Sequence, residues 1–205
     1  MDNIVSIIDL LNKDKKILGI ISDSDHYYDH NGNLCTYPLL AKQFDSIAKN
    51  YHKVIICTPC LYSGLPGEIY SNYRQKNISV LPVPFGGGNS LFKKFILFFK
   101  MLHWYRVLRK MCKIVDILHI RLPDNIGLLG ILLAYIYKIP SFGIYTGTWS
   151  DYRSEPRTYK LIKFIIKTFA NFPVGVYSTT LNSSEILFKN VSPSYYKEEI
   201  DDEKK

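Results

Sequence analysis

The stretch from Asp116 to Tyr152, DILHIRLPDNIGLLGILLAYIYKIPSFGIYTGTWSDY, restricts the fold more than any other part of the chain. A short apolar run breaks at Leu-Pro-Asp. An apolar segment follows from Ile126 to Tyr137, then a Lys-Ile-Pro break and a second short apolar run. The pattern predicts strand, loop, buried helix, strand, loop. A helix joining two such strands implies a right-handed crossover and parallel pairing. His119, Arg121 and Asp124 collect at the end of the first strand, and Thr146, Trp149 and Asp151 after the second. In an open α/β sheet, ligands bind in the crevice beyond the carboxyl ends of the strands.

The rest of the chain repeats this alternation. Strands are predicted at Lys16–Ser22, Lys53–Cys57, Ile78–Pro82, Ile117–Ile120, Ser141–Tyr145 and Val174–Ser178. Helices are predicted at about Pro38–Asn50, Leu91–Ile114, from near Ile126, and at about Arg157–Asn171. This gives an α/β, Rossmann-like parallel sheet flanked by helices. Residues 16–190 read as one domain, consistent with a length of 205 residues and a 47% apolar composition. Ile4, Val5, Ile7, Ile8 and Leu11 follow helical spacing, so 1–15 reads as an amphipathic helix, docked on the domain or lying on a surface. Residues 191–205 form a polar tail.

The formal charge is +8, from 26 Lys and Arg against 18 Asp and Glu. Anionic partners are favoured: nucleotide phosphates, acidic lipid or nucleic acid. Nucleic acid has only the net charge behind it, because no recognised binding module is present. The N-terminus carries Asp2 where a secretory signal needs basic residues, and the Ile126–Tyr137 run is too short to span a bilayer. Four cysteines are too few for a disulfide scaffold. The expected setting is cytoplasmic, with peripheral contact at the inner face of the cell membrane as an option. The region Phe92–Lys113 is both basic and apolar. Lys93, Lys94, Trp104, Arg106, Arg109, Lys110 and Lys113 are its candidate membrane contacts, against a core helix with a solvated basic face.

Several motifs are weak. Cys57-Thr-Pro-Cys60 has redox or metal spacing, but loop residues follow and no second pair completes a zinc site. One cysteine ending a strand and one in a loop is the simpler reading, and no metal site is expected. Gly86-Gly87-Gly88 lacks the dinucleotide-binding spacing. The first-strand loop holds Asp23, Asp25, His26, Asp29, His30 and Gly32 between a strand and a helix N-terminus. It reads either as a ligand or metal loop or as a solvated surface loop. His119 and Arg121 are two apart on one strand and share a face. His119 suits a general base or a core position, and Arg121 suits a phosphate or carboxylate partner. Trp149 offers a stacking platform or a core residue.

Three segments together resemble the N-terminal domain of family 4-like retaining glycosyltransferases of the GT-B fold (glycosyltransferase group 1). They are KILGIIS with the loop HNGNLCTYPLLAKQF, the segment DILHIRLPDNIGLLGILLAYIYKIP with its Asp-apolar-apolar-His strand, and FGIYTGTWSDY. The likeness covers roughly residues 16–190. It implies sugar transfer from a nucleotide-sugar co-substrate, with retention and no required metal or other cofactor, in cell-surface glycan or polysaccharide synthesis. It implies that this half shapes the acceptor side, through Arg121, His119, Trp149, Asp151 and Thr146, for a glycan or lipid-linked acceptor. Gly32 and Asn31 would lie near the donor phosphates. Many members have a second histidine where this chain has Arg121, so that role passes to acceptor or phosphate binding. No catalytic residue is assigned. The resemblance also implies a C-terminal donor-binding half, supplied in cis or in trans, without which the chain is inactive. The alternatives are a non-catalytic subunit that recruits a split enzyme to the membrane, and an unrelated Rossmann-like nucleotide-binding protein.

Overall fold

The structure is a computed structural model. It describes residues 16–61, 70–86, 91–149, 155, 157–177 and 188–190. The 1–15 helix and the 191–205 tail of the sequence reading lie outside the described residues.

The elements in chain order are β1 (Ile17–Ile21), β2 (His26–Tyr28), β3 (Leu34–Thr36), α1 (Pro38–Ala48), β4 (Lys53–Leu61), β5 (Ser71–Asn72) and β6 (Ile78–Val83). Then come α2 (Leu91–Met111), β7 (Ile117–Leu122), α3 (Asn125–Tyr137), β8 (Ser141–Thr148), α4 (Arg157–Phe169), β9 (Val174–Tyr177) and β10 (Phe188–Asn190). The strands join one mixed, mostly parallel sheet in the order β10-β9-β8-β7-β1-β4-β2-β3-β5, with β6 also on β4. The fold is α/β and Rossmann-like.

Its parallel core reads β6-β4-β1-β7-β8-β9. Numbered by appearance, those strands run third, second, first, fourth, fifth, sixth. This is the doubly wound order, and its direction reverses between the first and fourth strands. β1 pairs with β4 on one side and β7 on the other, so it is the innermost strand. Leu18, Ile20 and Ile21 are wholly buried, as a strand covered on both faces requires.

One face of the sheet carries α1, whose Leu40, Phe44 and Ala48 pack with Leu18, Ile20, Val54 and Ile56. Pro38 opens this helix, where its missing N–H costs nothing. The other face carries α2, α3 and α4, which bury Leu108, Met111, Ile131, Ala134 and Ile166 against Ile21, Leu118 and Ile120.

Several features differ from the sequence reading, among them the short strand β5, which pairs with β3. The long loop after β1 contains a β-hairpin, β2–β3, which sequence pattern hides because each strand has only three residues. β4 runs on to Leu61, so Cys60 lies in a strand rather than a loop. The extension exists because β4 pairs with β6 over Val54–Pro59 and then with β2 over Cys60–Leu61. β10 adds a further parallel strand beyond β9.

Gly127, in the first turn of α3, permits the tight approach of that helix to the end of β7. A Cβ there would overlap the Arg121 carbonyl oxygen, a backbone atom that cannot swing away. Gly127→Ala is expected to destabilise the fold by about 1–3 kcal/mol, the usual range for overpacking. Equilibrium urea unfolding measures this, and a midpoint equal to the parent's would refute the packing argument.

Candidate functional site

The reversal of strand order opens a crevice at the carboxyl ends of β1, β7 and β8. A cavity of about 420 Å³ lies there, lined by Asp23 and Ser24 after β1, Arg121 to Asp124 at the end of β7, Tyr145 to Gly147 on β8, and Tyr159 of α4. A second cavity of about 440 Å³ adjoins it and shares Asp23, Pro123, Asp124 and Tyr159. It adds Asp25 with the apolar walls Phe85, Trp104, Ile126 and Ile162. The two form one cleft, polar at one end and half-apolar at the other.

Each lining group has a structural cause. Asp124 caps α3: its side chain accepts a hydrogen bond from the Gly127 N–H, as N-cap aspartates do. Burial raises its carboxyl well above the usual carboxylate range, the neighbouring Asp23 carboxyl raises it further, and the Gly127 N–H opposes both. Asp25 is raised as well, chiefly by burial. Arg121 is held from below: its guanidinium donates to Gln43 Oε1 at 2.9 Å and lies 5.7 Å from the centroid of the Phe44 ring. Both partners come from α1.

A buried polar network supports the first-strand loop. His26 Nδ1 and the Thr58 hydroxyl both donate to the Ser24 carbonyl, at 2.8 Å and 2.6 Å. That tautomer leaves His26 Nε2 to accept from the Tyr73 hydroxyl at 2.7 Å. Burial lowers the His26 imidazole to about 4, so it is neutral near pH 7.

The residues singled out in the sequence are only partly brought together. Arg121 and Thr146 line the cleft, and the Thr146 hydroxyl also donates to the Leu122 carbonyl at 2.9 Å. His119 shares the Arg121 face, yet it is buried one step deeper, between Phe44 and Phe142. Among the described residues neither of its ring nitrogens has a hydrogen-bond partner. Burial and the nearby Arg121 lower it to about 3. It therefore occupies the core position weighed in the sequence reading. Trp149 is also buried; its ring meets Tyr145 edge-on, and Lys167 Nζ sits 5.5 Å from its centroid. Asp151 lies outside the described residues.

Asn31 and Gly32 are away from the cleft lining, in the β2–β3 turn. Asp29 closes that turn by accepting from the N–H groups of Asn31 and Asn33 at 2.8 Å and 2.7 Å. Gly32 has φ +77°, which explains a glycine there without a ligand. Cys57 and Cys60 are both buried in β4, three apart and so on opposite faces. Burial pushes their thiols up to about 12 and about 11, the behaviour of inert structural cysteines. Trp104, grouped in the sequence with membrane contacts, is a core residue whose indole N–H donates to the Pro84 carbonyl at 3.0 Å. The side chains of Lys93 and Lys94 lie outside the described residues, while Arg106, Arg109, Lys110 and Lys113 are exposed.

Sequence reasoning placed Asp124 at the crevice and weighed Asp23 in a ligand loop without giving either a role, and it missed Tyr159 and Gln43. For Asp124 a signal existed: Pro-Asp-Asn before a long apolar run marks an N-cap, and a cap after a strand of this sheet faces the crevice. Tyr159 and Gln43 carry no such local sign.

No protein-family model matches this chain, and no curated protein matches it. Among solved structures it is similar to the crystal structure of MurG from Acinetobacter baumannii, with 13% sequence identity and a TM-score of 0.43. The match covers 83% of this chain and 43% of that one, so the chain spans less than half the length of that structure.

Two pH-linked outcomes follow. The folded protein holds a proton on Asp124 at pH values where the unfolded chain has released it, so this group costs stability as pH rises through that window. Asp124→Asn keeps the cap and removes the titration. In urea unfolding between pH 4 and pH 8, wild type is expected to lose stability relative to this variant as pH rises; a pH-independent difference would discard the account. His119 acts with the opposite sign. Its folded value of about 3 lies below the ordinary 6.5, so stability is lost as pH falls from 6.5 toward 3. His119→Leu is expected to raise stability at pH 7 by about 1 kcal/mol, because it removes unpaired buried polar atoms. It should also lessen the acid-induced loss. A destabilised His119→Leu would show that the imidazole is satisfied.

Proposed function

We propose that this chain supplies the acceptor side of a GT-B-type glycosyltransferase. The observation that carries the reading is the cleft at the switch point, with its mixture of Asp23, Ser24, Arg121, Thr146 and Tyr159. Hydroxyl-rich ligands need closely spaced donors and acceptors of this kind, and the aromatic wall of the adjoining cavity suits the apolar faces of a sugar ring. The ordered resemblance of KILGIIS, DILHIRLPDNIGLLG and FGIYTGTWSDY to the N-terminal half of such enzymes supports the same reading.

The charge of the lining refines the role of Arg121. Asp23 and Asp124 line the same cavity as Arg121, Asp25 lines the adjoining one, and among the described lining residues of both cavities Arg121 is the single cation. The Asp23 carboxyl group shares this cavity with Arg121 and weakens its pull on a phosphate. Arg121 is therefore assigned to acceptor hydroxyl oxygens, and donor phosphates to a complementary half carried in cis or in trans. Sugar transfer then requires that half, with a nucleotide-sugar as co-substrate.

Saturation-transfer NMR of the chain with a panel of hexose and N-acetylhexosamine disaccharides tests this. Arg121→Ala is expected to weaken binding about tenfold or more, the loss of a charged hydrogen bond. Glycosyl transfer by the chain alone would overturn the acceptor-half assignment. Tight binding of a free nucleotide without any glycan signal would favour a plain nucleotide-binding domain.

A further inference from the structure

The outer surface of the three-helix layer departs from what a solvated surface requires. α3 is apolar around its whole circumference: it buries Ile126, Ile131, Leu133 and Ala134, yet it exposes Leu132, Tyr135 and Ile136. At about 100° per residue those three exposed side chains share one outward stripe. Ile136 is 62% exposed. A helix of this composition is normally covered on every side.

α3 packs between α2 and α4, which prolong the surface. On α4 the outward stripe holds Lys160, Leu161, Phe164 and Lys167, with Phe164 63% exposed. On α2 it holds Leu102 and Tyr105, then Arg106, Arg109 and Lys113 just past the helix end. The arrangement has an apolar centre on α3 and cationic flanks on both neighbours. α2, α3 and α4 together contain no Asp or Glu. Among the described residues no helix is long and apolar enough to cross a membrane.

We propose that the outer face of α2, α3 and α4 is a docking platform for an anionic bilayer surface. Charge selects the occupant. An anionic bilayer presents headgroups to the Lys and Arg flanks and hydrocarbon to Leu132, Ile136 and Phe164 in one contact. A nucleic acid would leave the apolar centre uncovered. The platform extends the contact region beyond Phe92–Lys113 to α3 and α4, and its centre is apolar rather than basic. It does not depend on the glycosyl-transfer reading.

Flotation of the whole chain with vesicles of phosphatidylcholine, with and without about 30% phosphatidylglycerol, tests it; binding to the anionic vesicles only is expected, weakened by salt. The double variant Ile136→Glu with Phe164→Glu is expected to lower partitioning about tenfold or more, through lost apolar insertion and added repulsion. Arg106→Glu with Arg109→Glu should lower it comparably. All four positions are exposed, so circular dichroism and melting should match the parent and separate lost docking from lost folding. Three results would overturn the proposal. They are failure to float with anionic vesicles, floating unaffected by the Ile136 and Phe164 changes, and a dimer in sedimentation equilibrium that Ile136→Glu dissolves. The last would assign the face to a second copy of the chain.

Discussion

The burial of β1 between β4 and β7 is the constraint on which the other features depend. The strand is apolar on both faces, so it cannot lie at an edge or face water on either side. Its neighbours are parallel to it, because α1 returns the chain from β1 to β4 over one face and α2 returns it from β6 to β7 over the other. Gly19, in the middle of β1, makes the fit closer still: a Cβ there would come within 2.9 Å of Leu118 Cδ2 and 3.3 Å of Met111 Cε. The crossover after β1 leads one way along the sheet and the crossover after β7 leads the other. The gap between their loops is the cleft. The site is thus a geometric result of winding a sheet in two directions from one buried strand.

The cleft concentrates polar groups at low exposure, which opposes stability. Asp124 is raised by burial, and Asp23 lies beside it. The structure offsets this cost locally. The α3 N-terminus stabilises charge at Asp124 through its free N–H groups. Gln43 and Phe44 hold Arg121 in one orientation. The His26, Thr58 and Tyr73 network fixes the Ser24 carbonyl, so the backbone next to Asp23 is anchored rather than free to collapse inward. Outside the cleft lining, a buried ion pair of 2.5 Å joins Glu155 to Lys163, and Lys167 packs on Trp149. Both contacts tie the chain after β8 to α4. A ligand meets a surface already organised by its second layer of contacts, which lowers the ordering cost of binding.

The same chain therefore has two contrasting surfaces. The cleft is acidic in its lining even though the molecule carries a formal charge of +8. The surplus cations sit elsewhere, many of them on the helix layer that lacks carboxylates altogether. Net charge alone could not have assigned either surface, because it sums over groups that face different directions.

Sequence determined the parallel α/β architecture and the strands and helices of its core. Periodicity and apolar runs report burial directly, and burial on both faces leaves a strand few alternatives. It also placed Arg121 and Thr146 at strand ends, and so at the crevice. Tertiary structure decided the rest. The β2–β3 hairpin depends on β4 continuing past β6 to meet β2, a pairing between segments far apart in the chain. His119 and Arg121 lie on one face of one strand, but α1 covers the first with Phe44 and leaves the second at the cleft edge. Trp104 and Trp149 are core residues because the 84–85 backbone and Lys167 of α4 come to meet them. In each instance the deciding contact is long-range, and local sequence specifies which side chains exist without specifying which of them another element will cover.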